Sequence, residues 1–248
     1  QHFKNKKIFY LFAFSLLARI ISIFVIGDTS LENEWSLLVS YLTEHGKLYS
    51  IFPALVNASW LESFFSVPDY ENPLVPNVFM PPLYAFYLYV FKFLNLSNEL
   101  YILLILFSQA ILSTISVIIF YKINKIFFSE KISMFGSLVF SFFPLHVYAC
   151  GQISSAILQS FLLILFFYFF FKLEKTGKIF DICFLSLTSG LLILLRGEFI
   201  ALFIFSILYL LILKVRIKSI FIILFFTFFV ISPYVARNVI LLDKITIT

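Results

Sequence analysis

Residues 27–35, GDTSLENEW, carry three carboxylates that could take a proton from a hydroxyl: Asp28, Glu32 and Glu34. A carboxylate at a water–lipid boundary has its pKa raised by desolvation, which suits it to act as a general base near neutral pH. Leu31, Trp35, Leu38 and Leu42 are spaced four, three and four apart, which predicts an amphipathic helix from about 31 to 45 lying on a membrane surface. Glu34 falls beside the apolar stripe; its plainer reading is a solvated surface carboxylate. Thr29 and Glu32 have capping-box spacing, which offers Glu32 a purely structural duty. Asp28, just before the helix, equally suits the helix dipole without catalysis.

Three arginines are the candidate anion binders. Arg19 lies inside the first apolar run, where an ionisable group is a functional candidate facing the bundle interior, or else snorkels to the interface. Arg196, in LLRGEFI, and Arg237, in SPYVARNVILL, stand at the ends of apolar runs opposite to those that gather the lysines. A guanidinium there offers a two-pronged donor for an anion such as phosphate. The competing readings are an Arg196–Glu198 pair and interfacial anchoring by Arg237. His146 and Gln152 flank a further turn at that end; a lone histidine there is more readily hydrogen-bonded than a metal ligand. No Walker, GxSxG or HExxH pattern occurs in the chain.

Everything around these groups is lipid-soluble. The mean hydropathy is +1.04, 62% of the 248 residues are hydrophobic and 12% are charged, against ~25% charged in soluble domains. The fold class is therefore all-α, a polytopic bundle in one domain. Apolar runs at 8–26, 99–121, 132–148, 154–171, 179–195, 199–213 and 219–236 predict seven spans. Residues 81–95 reach only ~22 Å as a helix, short of the ~30 Å hydrocarbon. If that segment does not cross, Lys122/Lys125/Lys131, Lys172/Lys175/Lys178 and Lys214/Arg216/Lys218 share the cytoplasmic side with Lys4, Lys6 and Lys7, as the positive-inside rule requires. It is therefore expected as an interfacial helix opening at Pro81 and Pro82, within a long extracytoplasmic loop, 27–98. The charge excess follows topology and is no nucleic-acid footprint. Cys150 and Cys183 fall near opposite ends of neighbouring runs and predict no disulfide. The N-terminal run reads as an uncleaved span. Without an initial Met, and stopping in mid-pattern at Thr248, the chain reads as a fragment.

Several stretches together resemble the GT-C class of membrane glycosyltransferases. The closest likeness is to bacterial relatives of the dolichyl-phosphate-mannose protein mannosyltransferases and of the lipid A aminoarabinose transferases. They are ENEW (32–35), EHGKLYS (44–50), VFMPPLYAFYLYVFKFL (78–94), FFPLHVYACGQISS (142–155), LLRGEFI (194–200) and SPYVARNVILLDKITIT (232–248). The family's acid stands four residues or one residue before the aromatic; the first position here is Leu31, so Glu34 before Trp35 inherits the role. Some members carry a second, metal-holding acid after the third span, where this chain has Ser154 and Ser155, which leaves a divalent metal doubtful and no other cofactor implied. The family's C-terminal extracytoplasmic part is missing.

The resemblance implies sugar transfer from a polyprenyl-phosphate carrier to a hydroxyl of a lipid, glycan or protein acceptor, on the outer face of a bacterial inner membrane. Glu34, with Glu32 and Asp28 as alternates, would be the base. Arg237, Arg196, Arg19 and Asn238 would hold the donor phosphate, and Trp35, Pro81, Pro82, Tyr84, His146 and Gln152 would line the pocket. A transporter or flippase of lipid-linked saccharides is the rival from another class, and a purely structural membrane subunit a third. Transporters often show paired broken helices near the midplane, whereas here the polar residues gather at one face.

Overall fold

A computed structural model describes residues 2–31, 34–50, 75–76 and 80–242. Helix α1 (His2–Ile26) is the first predicted span. It ends at Gly27, where a Cβ would fall 2.2 Å from the Ile23 carbonyl oxygen, so only glycine makes this exit without a backbone shift. Helix α2 (Glu34–His45) begins later than predicted. Its stripe forms but faces protein instead of a membrane surface: Leu38 and Leu42 are buried with Ala85 and Tyr234, and Trp35 and Leu31 pack at the margin of the core. Glu32 lies outside the described residues, but Ser30 and Leu31, the first helical positions of the expected capping box, are not helical, so Thr29 does not cap α2. Gly46, at φ 64°, ends the helix in the left-handed region. A two-residue antiparallel ribbon follows, β1 (Tyr49–Ser50) with β2 (Val75–Pro76), which the sequence pattern did not predict.

Helix α3 (Pro82–Lys92) has proline in its first turn and is 11 residues long, or about 16 Å. It packs antiparallel to the first half of α4 (Asn98–Phe127) rather than lying apart on a surface. The Tyr101 hydroxyl on α4 donates to the Leu88 carbonyl at 3.2 Å, and the Tyr84 hydroxyl on α3 donates to Gln109 at 3.3 Å. Helix α4 has 30 residues, about 45 Å, more than the hydrocarbon needs. Gln109 bonds to the turn that also meets the end of α1, so the turns before it project beyond α1 and α3 covers them.

Next come α5 (Glu130–Ser141) and α6 (Pro144–Tyr148), the latter continued by a 3-10 turn at Ala149–Gly151. Together they match the predicted third span, but the axis bends by 54° at Pro144, which lacks the N–H needed to continue α5. The chain closes with α7 (Ala156–Thr176), α8 (Ile179–Leu195), α9 (Phe199–Ile212) and α10 (Ile217–Leu242). Gly190 lets α8 approach α10 closely: a Cβ there would sit 2.7 Å from Val230, the small-residue contact by which membrane helices pack. Phe221, Phe225, Phe228 and Phe229 on α10 are exposed, as befits a surface solvated by lipid.

Among the described residues four helices have the length and apolarity to cross a membrane, Lys6–Ile26, Asn98–Phe127, Ala156–Leu173 and Ile217–Leu241, and the bent pair, counted as one span, makes a fifth. Helices α8 and α9, at 17 and 14 residues, fall below that length, so the count of seven rests on two short helices. The contacts do fix which ends go together. Lys7 and Lys125 both reach Glu130, at 3.9 and 3.6 Å, so the start of α1 and the end of α4 lie at one end of the bundle. At that same end Lys175 donates to the Ile126 carbonyl, and Lys172 pairs with buried Asp181 at 2.9 Å.

Candidate active site

At the opposite end the loops converge around Asp28. Its N–H donates to the Gly151 carbonyl at 2.7 Å, and its Oδ2 accepts the Ile153 N–H at 2.7 Å. Gly151 makes this possible: the place its Cβ would take is 3.2 Å from the Gly27 Cα. The Gln152 side chain crosses to the Ile26 carbonyl at 3.1 Å. Asp28 is thus pinned to the turn before α7, with one carboxylate oxygen used as a clamp. That is more than the helix-dipole reading proposed for it.

The aromatic wall is built by α2 and α3. Trp35 meets Tyr84 edge-on with ring centroids 4.8 Å apart. Pro82 and Tyr84 are buried in the first turn of α3, and Pro81 is its N-cap. Burial pushes the Tyr84 hydroxyl well above its usual pKa, with Tyr87, Tyr101 and the Asp28 carboxylate adding to it, so it stays a neutral donor. Glu34 opens α2 next to Trp35; its side chain lies outside the described residues, as does the whole of Glu32.

Two of the predicted arginines sit at this end. Arg237 donates from Nη1 to the Asn238 Oδ1 and from Nη2 to the Leu48 carbonyl, both at 2.7 Å, and its guanidinium lies 5.7 Å from the Tyr234 ring. Asn238 is fully buried. Leu48, Leu38, Leu42, Ala85 and Tyr234 form one cluster with Trp35 and Leu194 at its edge, so α10 meets α2 and α3 two residues from Arg196. Arg196 is exposed and faces Glu198 at 3.5 Å. The pairing foreseen as an alternative is therefore formed, though an exposed pair contributes only ~0–1 kcal/mol and yields readily to a better anion.

Arg19 and His146 lie deeper. Arg19 is fully buried; its Nε donates to Ser113 Oγ at 2.6 Å, and its Nη1 to the Ser15 carbonyl, Ser15 Oγ and the Ser141 carbonyl at 2.8, 2.7 and 3.1 Å. It faces the bundle interior and does not snorkel. His146 Nε2 bonds the same Ser113 Oγ at 3.0 Å, and its ring stacks on Phe140. The structure thus places both in a knot joining α1, α4, α5 and α6, instead of beside Asp28, Trp35 and Tyr84. Among the described residues no three His, Cys, Asp or Glu side chains converge to hold a metal ion.

Sequence reasoning missed Gln109, buried among α3, α4 and the 149–153 turn. The signal was present: Ser108, Gln109, Ser113, Thr114 and Ser116 interrupt an apolar run, and intramembrane polar groups mark interhelical contacts.

Fold and site define a polytopic all-α membrane protein in which Asp28, the Trp35–Tyr84 pair, Arg196 and Arg237 lie at the end opposite the Lys7–Lys125 and Lys172–Lys175 clusters. The profile of the dolichyl-phosphate-mannose-protein mannosyltransferase family matches residues 77–236, more than half of the chain. The chain belongs to that family and is a membrane glycosyltransferase of the mannosyltransferase type. No curated protein matches it. The family match begins after Asp28, Glu34 and Trp35 and stops one residue before Arg237, so the roles of those four rest on their placement and on the motifs quoted above.

Proposed function

We infer that the protein transfers a sugar from a polyprenyl-phosphate carrier to an acceptor hydroxyl, on the extracytoplasmic face of a bacterial inner membrane. The observation that carries this reading is the placing of Asp28, Trp35, α3 and Arg237 at one end, with the Lys7–Lys125 and Lys172–Lys175 clusters at the other. In the reaction the acceptor oxygen attacks the anomeric carbon as the bond from that carbon to the phosphate oxygen breaks. The acceptor proton passes to Glu34, and polyprenyl phosphate leaves with the bonding pair. Arg237, oriented by Asn238 and the Leu48 carbonyl, together with Arg196 stabilises the charge that grows on the leaving phosphate. A monophosphate leaving group is neutralised by guanidinium alone. Trp35 and Tyr84 give the sugar an apolar face.

The transport reading draws on one observation, the bent α5–α6 pair. Among the described residues it is a single break rather than the pair that transporters show, and family membership favours transfer.

Orientation is tested by labelling. With the N-terminal lysines inside, crossings by α1 and α4 put Asn98 outside and Lys125 inside. Asn98→Cys is expected to react with an impermeant thiol reagent in intact cells and Lys125→Cys only after permeabilisation; labelling of Lys125→Cys from outside would overturn the topology.

Phosphate recognition is tested by Arg237→Lys. It should weaken donor binding nearly as much as Arg237→Ala, because an ammonium cannot reproduce a two-pronged contact. Arg196→Ala should show a smaller loss in the same binding assay. Unchanged donor affinity in both alanine variants removes the role.

A further inference from the structure

Gln109 is fully buried, and both ends of its amide are committed. Its Oε1 accepts the Tyr84 hydroxyl at 3.3 Å, and its Nε2 donates to the Gln152 carbonyl at 2.9 Å. A backbone carbonyl can only accept, which fixes which way the amide points. The two partners belong to separate halves of the site. Tyr84 supports the ring of Trp35, the residue directly after Glu34. Gln152 lies between Gly151 and Ile153, the two residues whose backbone groups hold Asp28. A single side chain on α4 thus joins the aromatic pair behind Glu34 to the turn that holds Asp28.

We propose that Gln109 is a positioning residue for sugar transfer, setting the Glu34 end of α2 against the Asp28 turn through Tyr84 and Trp35 on one side and Gln152 on the other. The proposal rests on the glycosyl-transfer reading above. Gln109 touches no substrate; it acts by holding two chain segments at one spacing. A buried amide satisfied at both ends resists sliding, because any shift leaves a polar atom unpaired. The apolar packing of α3 on α4 at Leu88, Ile102 and Ile105 has no such directional demand.

The test uses Gln109→Glu in the full chain, in lipid nanodiscs, with Trp60→Phe so that Trp35 is the sole tryptophan. A protonated glutamic acid supplies one O–H donor to the Gln152 carbonyl and one acceptor to Tyr84, as glutamine does. Ionised, it has no donor and presents a negative charge to that carbonyl. At a temperature where circular dichroism shows every form folded, kcat and Trp35 emission are expected to titrate together. The ionised form should lose tenfold or more in kcat while the donor KM stays within twofold, and the Trp60→Phe parent should show no such step. Gln109→Leu should hold both readouts at the high-pH level throughout. Emission that titrates without kcat would reduce Gln109 to packing and overturn the proposal, as would emission that does not move. Should Gln109→Glu fail to fold, Tyr84→Phe cuts the same chain at its other end and must shift emission and kcat with no pH step; unchanged kcat there overturns the proposal. If the parent transfers no sugar, the glycosyl-transfer reading fails, and the role proposed for Gln109 in transfer falls with it. The emission titration then separately shows whether Gln109 places Trp35.

Discussion

Replacing Glu34 by glutamine is expected to lower turnover by ~10²-fold or more while donor binding persists. Glutamine keeps the shape and the hydrogen bonding of the side chain but cannot take the acceptor proton, and general-base catalysis contributes ~10²- to 10⁴-fold. Glu34 opens α2, next to the Trp35 ring that packs on Tyr84. Glu32→Gln keeps the shape and the hydrogen bonding of the side chain and removes no proton acceptor that this account uses, so it should be nearly silent. Asp28→Asn should behave differently from both. Asp28 holds the Ile153 N–H and the Gly151 carbonyl, and asparagine retains an acceptor for the first and a backbone donor for the second. A moderate loss with unchanged stability is therefore expected. Steady-state kinetics on the three variants separates the roles: a larger loss in Glu32→Gln than in Glu34→Gln makes Glu32 the base, and loss confined to Asp28→Asn moves the chemistry to the α1 exit.

The second large effect is expected from Arg19→Ala, as a loss of stability of about 3–5 kcal/mol, the range for breaking a buried polar network and leaving a cavity. Arg19 links Ser15 on α1, Ser113 on α4 and the Ser141 carbonyl at the end of α5. Its removal unpairs groups on three helices and loosens the α5–α6 bend that leads to the Gly151 turn. Arg19→Lys should recover only part of the loss, since one ammonium cannot serve Ser113 and Ser141 together. Thermal unfolding in detergent, read beside donor binding, decides between this duty and the phosphate contact that resemblance implied. Unchanged unfolding with lost binding would return Arg19 to the donor site.

How far the sequence could be read follows from the forces at work. Helix positions and the common end of the lysine clusters were legible because hydrocarbon imposes length and charge rules on each run separately; the Lys7–Glu130–Lys125 contact agrees. The stripe of α2 was legible for the same reason, being local periodicity. The setting of α3 was not. Its apolar residues suit an interface and a helix partner equally, and only the projection of α4 beyond α1, a long-range matter, decides for the partner. Arg19 was recognised as inward-facing, but its partners, Ser113 and Ser141, lie 94 and 122 residues away and no short-range pattern pairs them. Gln109 escaped for the same reason: both its partners belong to other elements.

The measurement that bears most directly on the whole account supplies membranes containing the protein with polyprenyl-phosphate sugar labelled in both the sugar and the lipid. The account predicts that sugar label moves to an acceptor hydroxyl while an equal amount of polyprenyl phosphate is released, and that Glu34→Gln abolishes both. Movement of the intact labelled donor across the bilayer, with its sugar–phosphate bond unbroken, would contradict it.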